Sequence, residues 1–258
     1  MASYADGKIL SESSGPVTTV IINRPEVRNA LDNQAARGLA EAFRDFAADE
    51  GQRVAVLTGA EGAFCAGADL KEVATDDNYL AWAGDADGPT HPTLEKPVIA
   101  AVEGHACAGG LGVALWCDIR VVDETAVFGV FSRRWGVPMS DGTTVRLPRL
   151  IGMARALDML ITGRAVGSEE ALQWGLASRL APKGQARQVA EELAARIAEF
   201  PQVALRSDRQ SAYMQNGRPL EDAIRIEKDL SLAAKRLEAG AGAARFAAGE
   251  GRHGSFPK

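Results

Sequence analysis

The sequence predicts an α/β fold built around a parallel β-sheet, and three observations lead to this prediction. Short apolar runs occupy residues 54–58, 98–102 and 119–122, as is typical of strands buried on both faces of a sheet. A glycine-rich turn and an apolar helical segment ending at Trp116 lie between the last two runs. This alternation indicates βαβ units, whose neighbouring strands run parallel.

Turn residues and periodicity predict the N-terminal elements. Residues 9–13 and 17–22 read as two strands around a Gly-Pro pair, which indicates a hairpin. From Leu31 the apolar residues recur at helical spacing. Asp32 is expected either to cap this helix or to be an acidic residue of its first turn. The residues on the apolar face are Leu31, Ala35, Leu39, Ala42, Phe43 and Phe46.

Two glycine-rich stretches each follow a predicted strand and are the candidate functional elements. The first reads GAFCAGADLK over residues 62–71, and the second reads ACAGGLG over residues 106–112. Small residues before a helix let backbone N–H groups approach a ligand, and the helix start adds positive potential. Each turn therefore suits an anion or a developing oxyanion, or else serves close packing of a helix against a strand.

The middle of the chain is predicted to contain one irregular segment and one helix. Residues 73–95 are rich in aspartate, glycine and proline, which indicates a loop that a short helix around residues 79–82 interrupts. Asp141 or Ser140 is expected to cap a helix that continues through Leu150.

The later residues are predicted to be mainly helical. Ser168 is expected to cap one helix, and a Pro-Lys-Gly break follows at residues 182–184. Residues 185–246 read as helices with turns near Pro201 and at residues 217–219.

Bulk composition limits the classes of function. A length of 258 residues permits one large domain or a core with an extension, and the apolar fraction of 46% is ordinary for a globular protein. The net charge of -5 argues against general affinity for nucleic acid. Neither a signal-peptide pattern nor an apolar run of spanning length is evident, so we expect a cytoplasmic protein without membrane association.

The cysteines and histidines have no spacing that indicates a disulfide framework or a metal site. Cys65 and Cys107 lie inside the two glycine-rich stretches. Each is therefore either a reactive thiol or a small residue at a place where space is tight. We expect no metal and no bound cofactor.

With these two stretches, the chain resembles the crotonase (enoyl-CoA hydratase/isomerase) superfamily over nearly its whole length. Further matching stretches are NRPEVRNAL at residues 23–31, CDIRVV at 117–122, RLPRLIG at 146–152 and TGRAVGSEEALQWGLASRL at 162–180. The resemblance implies a spiral-like ββα core over residues 1–184 and a helical trimerisation region over residues 185–258. It also implies a homotrimer or a dimer of trimers, and an acyl-CoA partner that brings coenzyme A only as part of the substrate thioester.

The resemblance also places site residues by matching motifs. The family polarises a thioester carbonyl with two backbone N–H groups and stabilises an enolate-like state, and these donors fall on Ala68 and Gly109. The same matching puts contacts with CoA near Arg28, Ala66 and Lys71, whose two cations could meet phosphates. The other interpretation of each cation is an exposed, solvated side chain.

The sequence departs from the family at two acid–base positions. Family hydratases use two glutamates to deliver water across a double bond, and Gly112 and Ser132 stand in their places here. Glycine has no side chain that moves a proton, and serine is a poor acid or base without an activating partner. The two-glutamate mechanism is therefore not carried over.

Asp141 is the leading candidate for a replacement acid–base group. It lies near the place where some family members have an active-site aspartate, offset by one residue, and the alternative is that it caps the following helix. Ser132 either hydrogen-bonds substrate or water or is a small wall of the pocket. His105 is a proton shuttle or a packing residue. Arg133 and Arg134 could pair with an acidic acyl group or with acidic neighbours.

Two functions of different classes follow from this resemblance and from the departures from it. The first is an enoyl-CoA hydratase/isomerase-like enzyme, a lyase or isomerase of fatty acid metabolism, that stabilises a thioester enolate in an oxyanion hole. The second is a non-catalytic acyl-CoA-binding or carrier protein. The missing glutamates favour the second, and the oxyanion motifs favour the first, because binding alone needs no preorganised carbonyl donors.

Overall fold

A computed structural model describes residues 1–76, 80, 82–91 and 93–251. The chain divides into two compact units, Met1–Ile197 and Ala198–Lys258. The first unit contains all the described strands, and the described residues of the second are helical or lie in turns. The predicted helix around residues 79–82 falls partly on residues 79 and 81, which lie outside the described residues.

Two β-sheets form the centre of the first unit. The described strands are β1 (Ala2–Tyr4), β2 (Ile9–Ser14), β3 (Val17–Ile22), β4 (Val54–Gly59), β5 (Val98–Val102), β6 (His105–Cys107), β7 (Ile119–Asp123), β8 (Val127–Gly129), β9 (Val166–Gly167) and β10 (Arg179–Ala181). The larger sheet has the order β1-β2-β3-β4-β5-β7-β10, and the smaller one has the order β6-β8-β9.

The larger sheet confirms the predicted hairpin and the predicted parallel strands. β2 and β3 pair antiparallel, whereas β3, β4, β5, β7 and β10 pair parallel in that order. Every residue of β5 is buried, because the sheet is covered on both faces there. The smaller sheet was not predicted, since its strands are too short to carry a pattern of their own.

Ten α-helices are present among the described residues. They are α1 (Asn33–Ala48), α2 (Leu70–Val73), α3 (Gly109–Trp116), α4 (Thr143–Ile151), α5 (Met153–Thr162), α6 (Ser168–Trp174), α7 (Ala186–Ala198), α8 (Gln202–Met214), α9 (Leu220–Ala234) and α10 (Gly240–Ala247). The last four confirm the helical C-terminal region with its two predicted turns. None of the helices in the described ranges combines the length and the hydropathy that crossing a membrane requires.

Two predicted helix caps have different outcomes. The Asp32 carboxylate accepts a hydrogen bond from the Ala35 N–H at 2.7 Å, which confirms it as the cap of α1. The prediction for Ser168 is wrong, because Ser168 is the first residue of α6 and its hydroxyl donates to the Glu124 carbonyl at 3.3 Å. The turn between β7 and β8 thus accepts from the hydroxyl that would otherwise cap the helix.

Helix α3 is the central helix of the first unit. All of its residues except Gly109 are buried, and its last residue, Trp116, packs edge-on against Phe43 of α1 with ring centroids 4.8 Å apart. The apolar face predicted for α1 is buried as expected. The N-terminal end of α3 is therefore held firmly by the core, while its first residue remains accessible.

Candidate active site

A cavity of about 180 Å³ lies at the start of α3. Several separate parts of the chain contribute to its wall. The lining residues are Arg28, Ala66, Ala68, Leu70, His105, Cys107, Ala108, Gly109, Phe131, Ser132, Trp135, Val137, Pro138, Met139, Ser140 and Asp141. The fold thus brings together six of the seven candidate catalytic and CoA-binding residues, and the exception is Lys71.

The two glycine-rich stretches lie side by side beneath this cavity. The Cys107 N–H donates to the Cys65 carbonyl at 3.0 Å. A Cβ at Gly67, whose φ is +101°, would stand 2.9 Å from the Gly109 nitrogen, and one at Gly110 would stand 2.0 Å from the Cys65 carbonyl oxygen. These glycines are therefore required for the close approach of the two backbones.

Ala68 and Gly109 line the cavity, and no described residue accepts a hydrogen bond from either backbone N–H. Leu31 pairs with the residues on both sides of Ala68: its N–H donates to the Gly67 carbonyl and its carbonyl accepts from the Asp69 N–H, both at 2.8 Å. The Ala68 N–H therefore points away from Leu31. Gly109 is the first residue of α3, where helix N–H groups have no partner within the helix. One donor at the positive end of α3 and a second donor from the first glycine-rich stretch thus border one cavity.

Ala108 turns the chain from β6 into α3 in an unusual backbone conformation. Its φ is 49° and its ψ is -123°, a region that costs a non-glycine residue about 1–3 kcal/mol. Its N–H donates to the Gly129 carbonyl at 2.8 Å, and its carbonyl accepts from the Leu111 N–H at 3.0 Å. These bonds hold the turn that presents Gly109 to the cavity.

Asp141 reaches the cavity from the loop before α4, and its carboxyl packs against α3. A Cβ at Gly112 would stand 2.3 Å from Asp141 Cγ and 2.6 Å from its Oδ1. Only glycine leaves room for this carboxyl at that place. The position that the resemblance assigns to the first hydratase glutamate is thus occupied by a carboxyl from elsewhere in the chain.

The Asp141 side chain is buried, with 3% of the residue exposed. Burial raises the pKa of its carboxyl above the usual value, whereas hydrogen bonding by Thr143 and the charge of Arg146 oppose this rise. The Thr143 N–H lies 2.8 Å from Oδ1. Since Thr143 is the first residue of α4, the carboxyl both lines the cavity and accepts from the helix start, which combines the two alternatives that the sequence left open.

Ser132 is a buried residue of the 3-10 helix Phe131–Trp135 and lines the same cavity. Its hydroxyl lies 3.5 Å from the Met139 sulfur, which is a weak acceptor. Within the described parts of the chain, no carboxylate or histidine hydrogen-bonds to this hydroxyl. Ser132 therefore has no partner there that would activate it as a base or nucleophile.

The cysteines are not activated thiols. Cys65, Cys107 and Cys117 are all buried, and burial raises the pKa of the Cys65 and Cys107 thiols to about 12. A thiol reacts as its thiolate, so the alternative of small residues in tight space is favoured. His, Cys, Asp and Glu side chains form no group of three suited to a metal ion in the ranges that the structure describes.

The residues predicted to contact CoA divide into two groups. Arg28 is exposed and lines the cavity together with Ala66, whose N–H donates to the Arg28 carbonyl at 3.0 Å. Lys71 is exposed on α2 but is not one of the lining residues. A cation on Lys71 could reach only the part of a ligand that extends outside the cavity.

Three further candidates have distinct surroundings. His105 is exposed and lines the cavity. The Arg133 Nε donates to the Leu160 carbonyl at 3.1 Å, and the Arg134 guanidinium lies 5.0 Å from the centre of the Phe131 ring. Neither arginine lines the cavity, which argues against their pairing with an acidic acyl group inside it.

Sequence reasoning missed Trp82 and the apolar wall of the cavity. Trp82 is buried and its indole covers Gly109, because a Cβ on Gly109 would stand 2.5 Å from Trp82 Cζ3. Phe131, Met139 and the largely exposed Trp135 form part of the wall. In the sequence, Trp82 is a tryptophan inside an otherwise polar loop. Its neighbouring residues give no indication that it contacts Gly109.

Comparisons with known proteins give similarity over most of the chain. The family described as enoyl-CoA hydratase/isomerase matches residues 12–248. (E)-Benzylidenesuccinyl-CoA hydratase of Thauera aromatica is 36% identical over 217 residues, which are 83% of this chain and 85% of that protein. Enoyl-CoA hydratase EchA19 of Mycobacterium tuberculosis is 37% identical over 244 residues, which are 90% of each chain.

Solved structures have the same fold. The crystal structure of an enoyl-CoA hydratase from Mycobacterium tuberculosis has a TM-score of 0.88 at 33% identity, and the match covers 93% of this chain and 95% of that one. A structure from Geobacillus kaustophilus has a TM-score of 0.87 at 35% identity over 93% of this chain and 94% of that one. The architecture described above is therefore shared with these proteins.

Proposed function

Because the chain belongs to the enoyl-CoA hydratase/isomerase family and has the crotonase fold that its motifs predict, we propose that it is an enzyme that stabilises the enolate of an acyl-CoA thioester. The observation that carries this proposal is the presence of three groups around one cavity. They are the Ala68 N–H, the Gly109 N–H and the Asp141 carboxyl.

The two amides would act on the thioester carbonyl. Donors that are fixed before the reaction stabilise negative charge as it develops, without a cost of reorganisation. Ala68 is fixed by the pairing of its neighbours with Leu31, and Gly109 by the buried helix α3. The positive end of that helix adds to the same effect.

Asp141 would move the proton. In its ionised form the carboxylate removes a proton from the carbon next to the thioester carbonyl, and the C–H electron pair forms the enolate whose oxygen the two amides bind. The protonated carboxyl then returns the proton to the same carbon, which is exchange, or to the γ-carbon of a conjugated enolate, which is isomerisation. A raised pKa suits both steps, because the group then binds and releases a proton closer to neutral pH.

Rapid hydration is not part of this proposal. Gly112 and Ser132 provide no pair of carboxylates on which an attacking water could be activated and protonated. Asp141 alone would have to serve both tasks. We therefore expect slow hydration of crotonyl-CoA compared with a two-glutamate hydratase.

The rest of the ligand would extend out of the cavity. Arg28 is exposed and lines the cavity together with Ala66, and Lys71 is exposed outside the lining, so the two cations would contact phosphates of CoA. Coenzyme A enters here as part of the thioester. The apolar wall that contains Phe131 and Met139 would contact the acyl group.

We also propose, on the family resemblance, that residues 185–258 mediate a homotrimer or a dimer of trimers. Exposed apolar side chains in this region support the proposal, since Leu220, Leu237 and Phe246 are 75%, 76% and 66% exposed and large exposed apolar surfaces mark interaction sites. Light scattering on the purified protein tests it. A monomer at micromolar concentration would contradict it.

The experiment that tests the catalytic proposal is proton exchange in D₂O. Wild-type protein is incubated with butyryl-CoA, and the mass of the recovered thioester reports deuterium at the carbon next to the carbonyl. We expect exchange in the wild type and about a hundred-fold less in Asp141→Asn. Calorimetric titration with butyryl-CoA on both proteins shows whether binding is retained.

A non-catalytic acyl-CoA-binding or carrier protein is the second candidate, and the bond between Asp141 and the Thr143 N–H favours it, because that bond gives the carboxyl a structural role. Binding of butyryl-CoA without exchange, hydration or isomerisation would support the carrier. Efficient hydration of crotonyl-CoA, followed as loss of the conjugated thioester absorbance, would contradict our interpretation of Gly112 and Ser132. Absence of binding would overturn both functions.

A further inference from the structure

We propose that Arg146 is a positioning residue that holds Asp141 in the cavity and joins it to the segment that covers Gly109. This inference rests on the proposed role of Asp141. Arg146 lies on α4, five residues after Asp141, and it is not one of the residues that line the cavity.

The Arg146 guanidinium makes two hydrogen bonds to backbone carbonyls. The Arg146 Nη1 donates to the Asp141 carbonyl at 2.9 Å, and Nη2 donates to the Thr90 carbonyl at 2.8 Å. A Cβ at Gly142 would stand 2.1 Å from Nη1. The group therefore lies in a slot that glycine leaves open, where two nitrogens bond to two separate segments.

Thr90 is connected to Gly109 through Trp82. The Thr90 N–H donates to the Trp82 carbonyl at 3.2 Å, and the Trp82 indole covers Gly109. A parallel bond runs from the Ala83 N–H to the Ser140 carbonyl at 2.9 Å. Residues 82–91 thus bridge the donor amide at the start of α3 and the loop that carries the carboxyl.

The charge of Arg146 also acts on the Asp141 carboxyl. Arg146 lowers the pKa of Asp141 and so opposes the effect of burial. On the other elements around this carboxyl, α3 presents Gly112 and the first glycine-rich stretch presents the Cys65 thiol. The cavity lining also includes His105 and Arg28. Cys65 is uncharged near neutral pH because burial raises its pKa to about 12.

The test compares Arg146→Met, Arg146→Lys and Arg149→Met. Arg149 is an exposed basic residue of the same helix, so its substitution makes the same change in net charge away from Asp141. The protein is labelled with ¹³C at the aspartate carboxyl carbon, and the Asp141 resonance is identified by its loss in Asp141→Asn. Its titration is then followed without substrate.

We expect Asp141 to titrate at a higher pH in Arg146→Met than in the wild type, because a nearby cation favours the ionised carboxyl. Arg146→Lys should lie between them, and Arg149→Met should match the wild type. Where exchange of butyryl-CoA occurs, Arg146→Met should lower kcat by about ten- to a hundred-fold with little change in KM, because the carboxyl is displaced rather than the ligand lost.

Titration at the same pH in Arg146→Met and Arg149→Met would overturn the proposal, whether or not the protein acts on a thioester. A shift of Asp141 in a protein that catalyses no exchange would support the positioning role and overturn the catalytic one. Should Arg146→Met fail to fold, the comparison is made between Arg146→Lys and Arg149→Met, with the same two outcomes.

Discussion

Gly112 and the Asp141 carboxyl are in direct contact, although they are far apart in the sequence. A Cβ at position 112 would stand 2.3 Å from Asp141 Cγ. The absence of a side chain on α3 and the presence of a carboxyl on the loop before α4 are therefore two parts of one arrangement.

Gly112→Ala is expected to destabilise the protein by about 1–3 kcal/mol, because the new methyl group overpacks the buried Asp141. Urea denaturation measures this change. Gly240→Ala is the matched control, since nothing lies within 4 Å of its Cβ position and alanine in a helix is expected to stabilise by about 0.5–1 kcal/mol. Combining Gly112→Ala with Asp141→Ser should recover part of the lost stability. Equal changes in stability for Gly112→Ala and Gly240→Ala would contradict the contact between position 112 and Asp141.

Asp141→Asn should increase stability relative to the wild type as the pH rises. The folded-state pKa of Asp141 is raised above the ordinary value of 3.8, so the group's contribution to stability is present below that value and is lost as the pH rises through the folded pKa. Asparagine keeps an acceptor for the Thr143 N–H and avoids the buried charge. Each unit of raised pKa is worth about 1.4 kcal/mol. Thermal unfolding at about pH 4 and at pH 8 measures the trend, and a variant that is less stable than the wild type at pH 8 would refute it.

Cys107 should resist alkylation although it lines the cavity. With a pKa raised to about 12, about one thiol in ten thousand is ionised at pH 8, and the thiolate is the reactive form. Mass spectrometry after iodoacetamide treatment should find the folded protein unlabelled at Cys107 and the urea-unfolded protein fully labelled. Rapid labelling of the folded protein at this residue would mean that the thiol is activated.

Arg28 should contribute more to acyl-CoA binding than Lys71. We expect Arg28→Asn to weaken binding by up to about five-fold, since an exposed ion pair is worth up to roughly 1 kcal/mol, with a smaller effect at high salt. Asparagine is chosen because Arg28 has a φ of 53°, which asparagine tolerates. Lys71→Gln, the charge-matched control, should change the affinity less. Calorimetry at two salt concentrations measures both, and a larger effect at Lys71 would reverse the assignment.

The sequence predicts those parts of the fold that depend on local pattern. The apolar runs of β4, β5 and β7 and the turn residues of the β2–β3 hairpin carry their own signal, and the structure confirms them. The motif resemblance assigns Ala68 and Gly109 to one site, and both residues line the same cavity in the structure. The strand and hairpin predictions succeed because neighbouring residues fix these elements.

The remaining features depend on contacts between distant residues. From sequence alone, Gly112 reads as the loss of an acid–base group, whereas in the structure it makes room for one. Trp82 covers Gly109, and Arg146 bonds to Thr90, but no spacing or periodicity signals either contact. Such relationships arise from tertiary packing, which a one-dimensional pattern does not encode.

The strand order of the larger sheet has a consequence for how the chain folds as it is synthesised. Its strands are arranged in space in the order in which they leave the ribosome, so each new strand can pair with an edge that is already present. β10 is the late member, because residues 124–178 separate it from its partner β7. At about 5–20 residues per second, this interval lasts about 3–11 s. During that time β7 offers an open edge to other nascent chains, so the speed of translation through this interval should influence how much of the protein escapes aggregation.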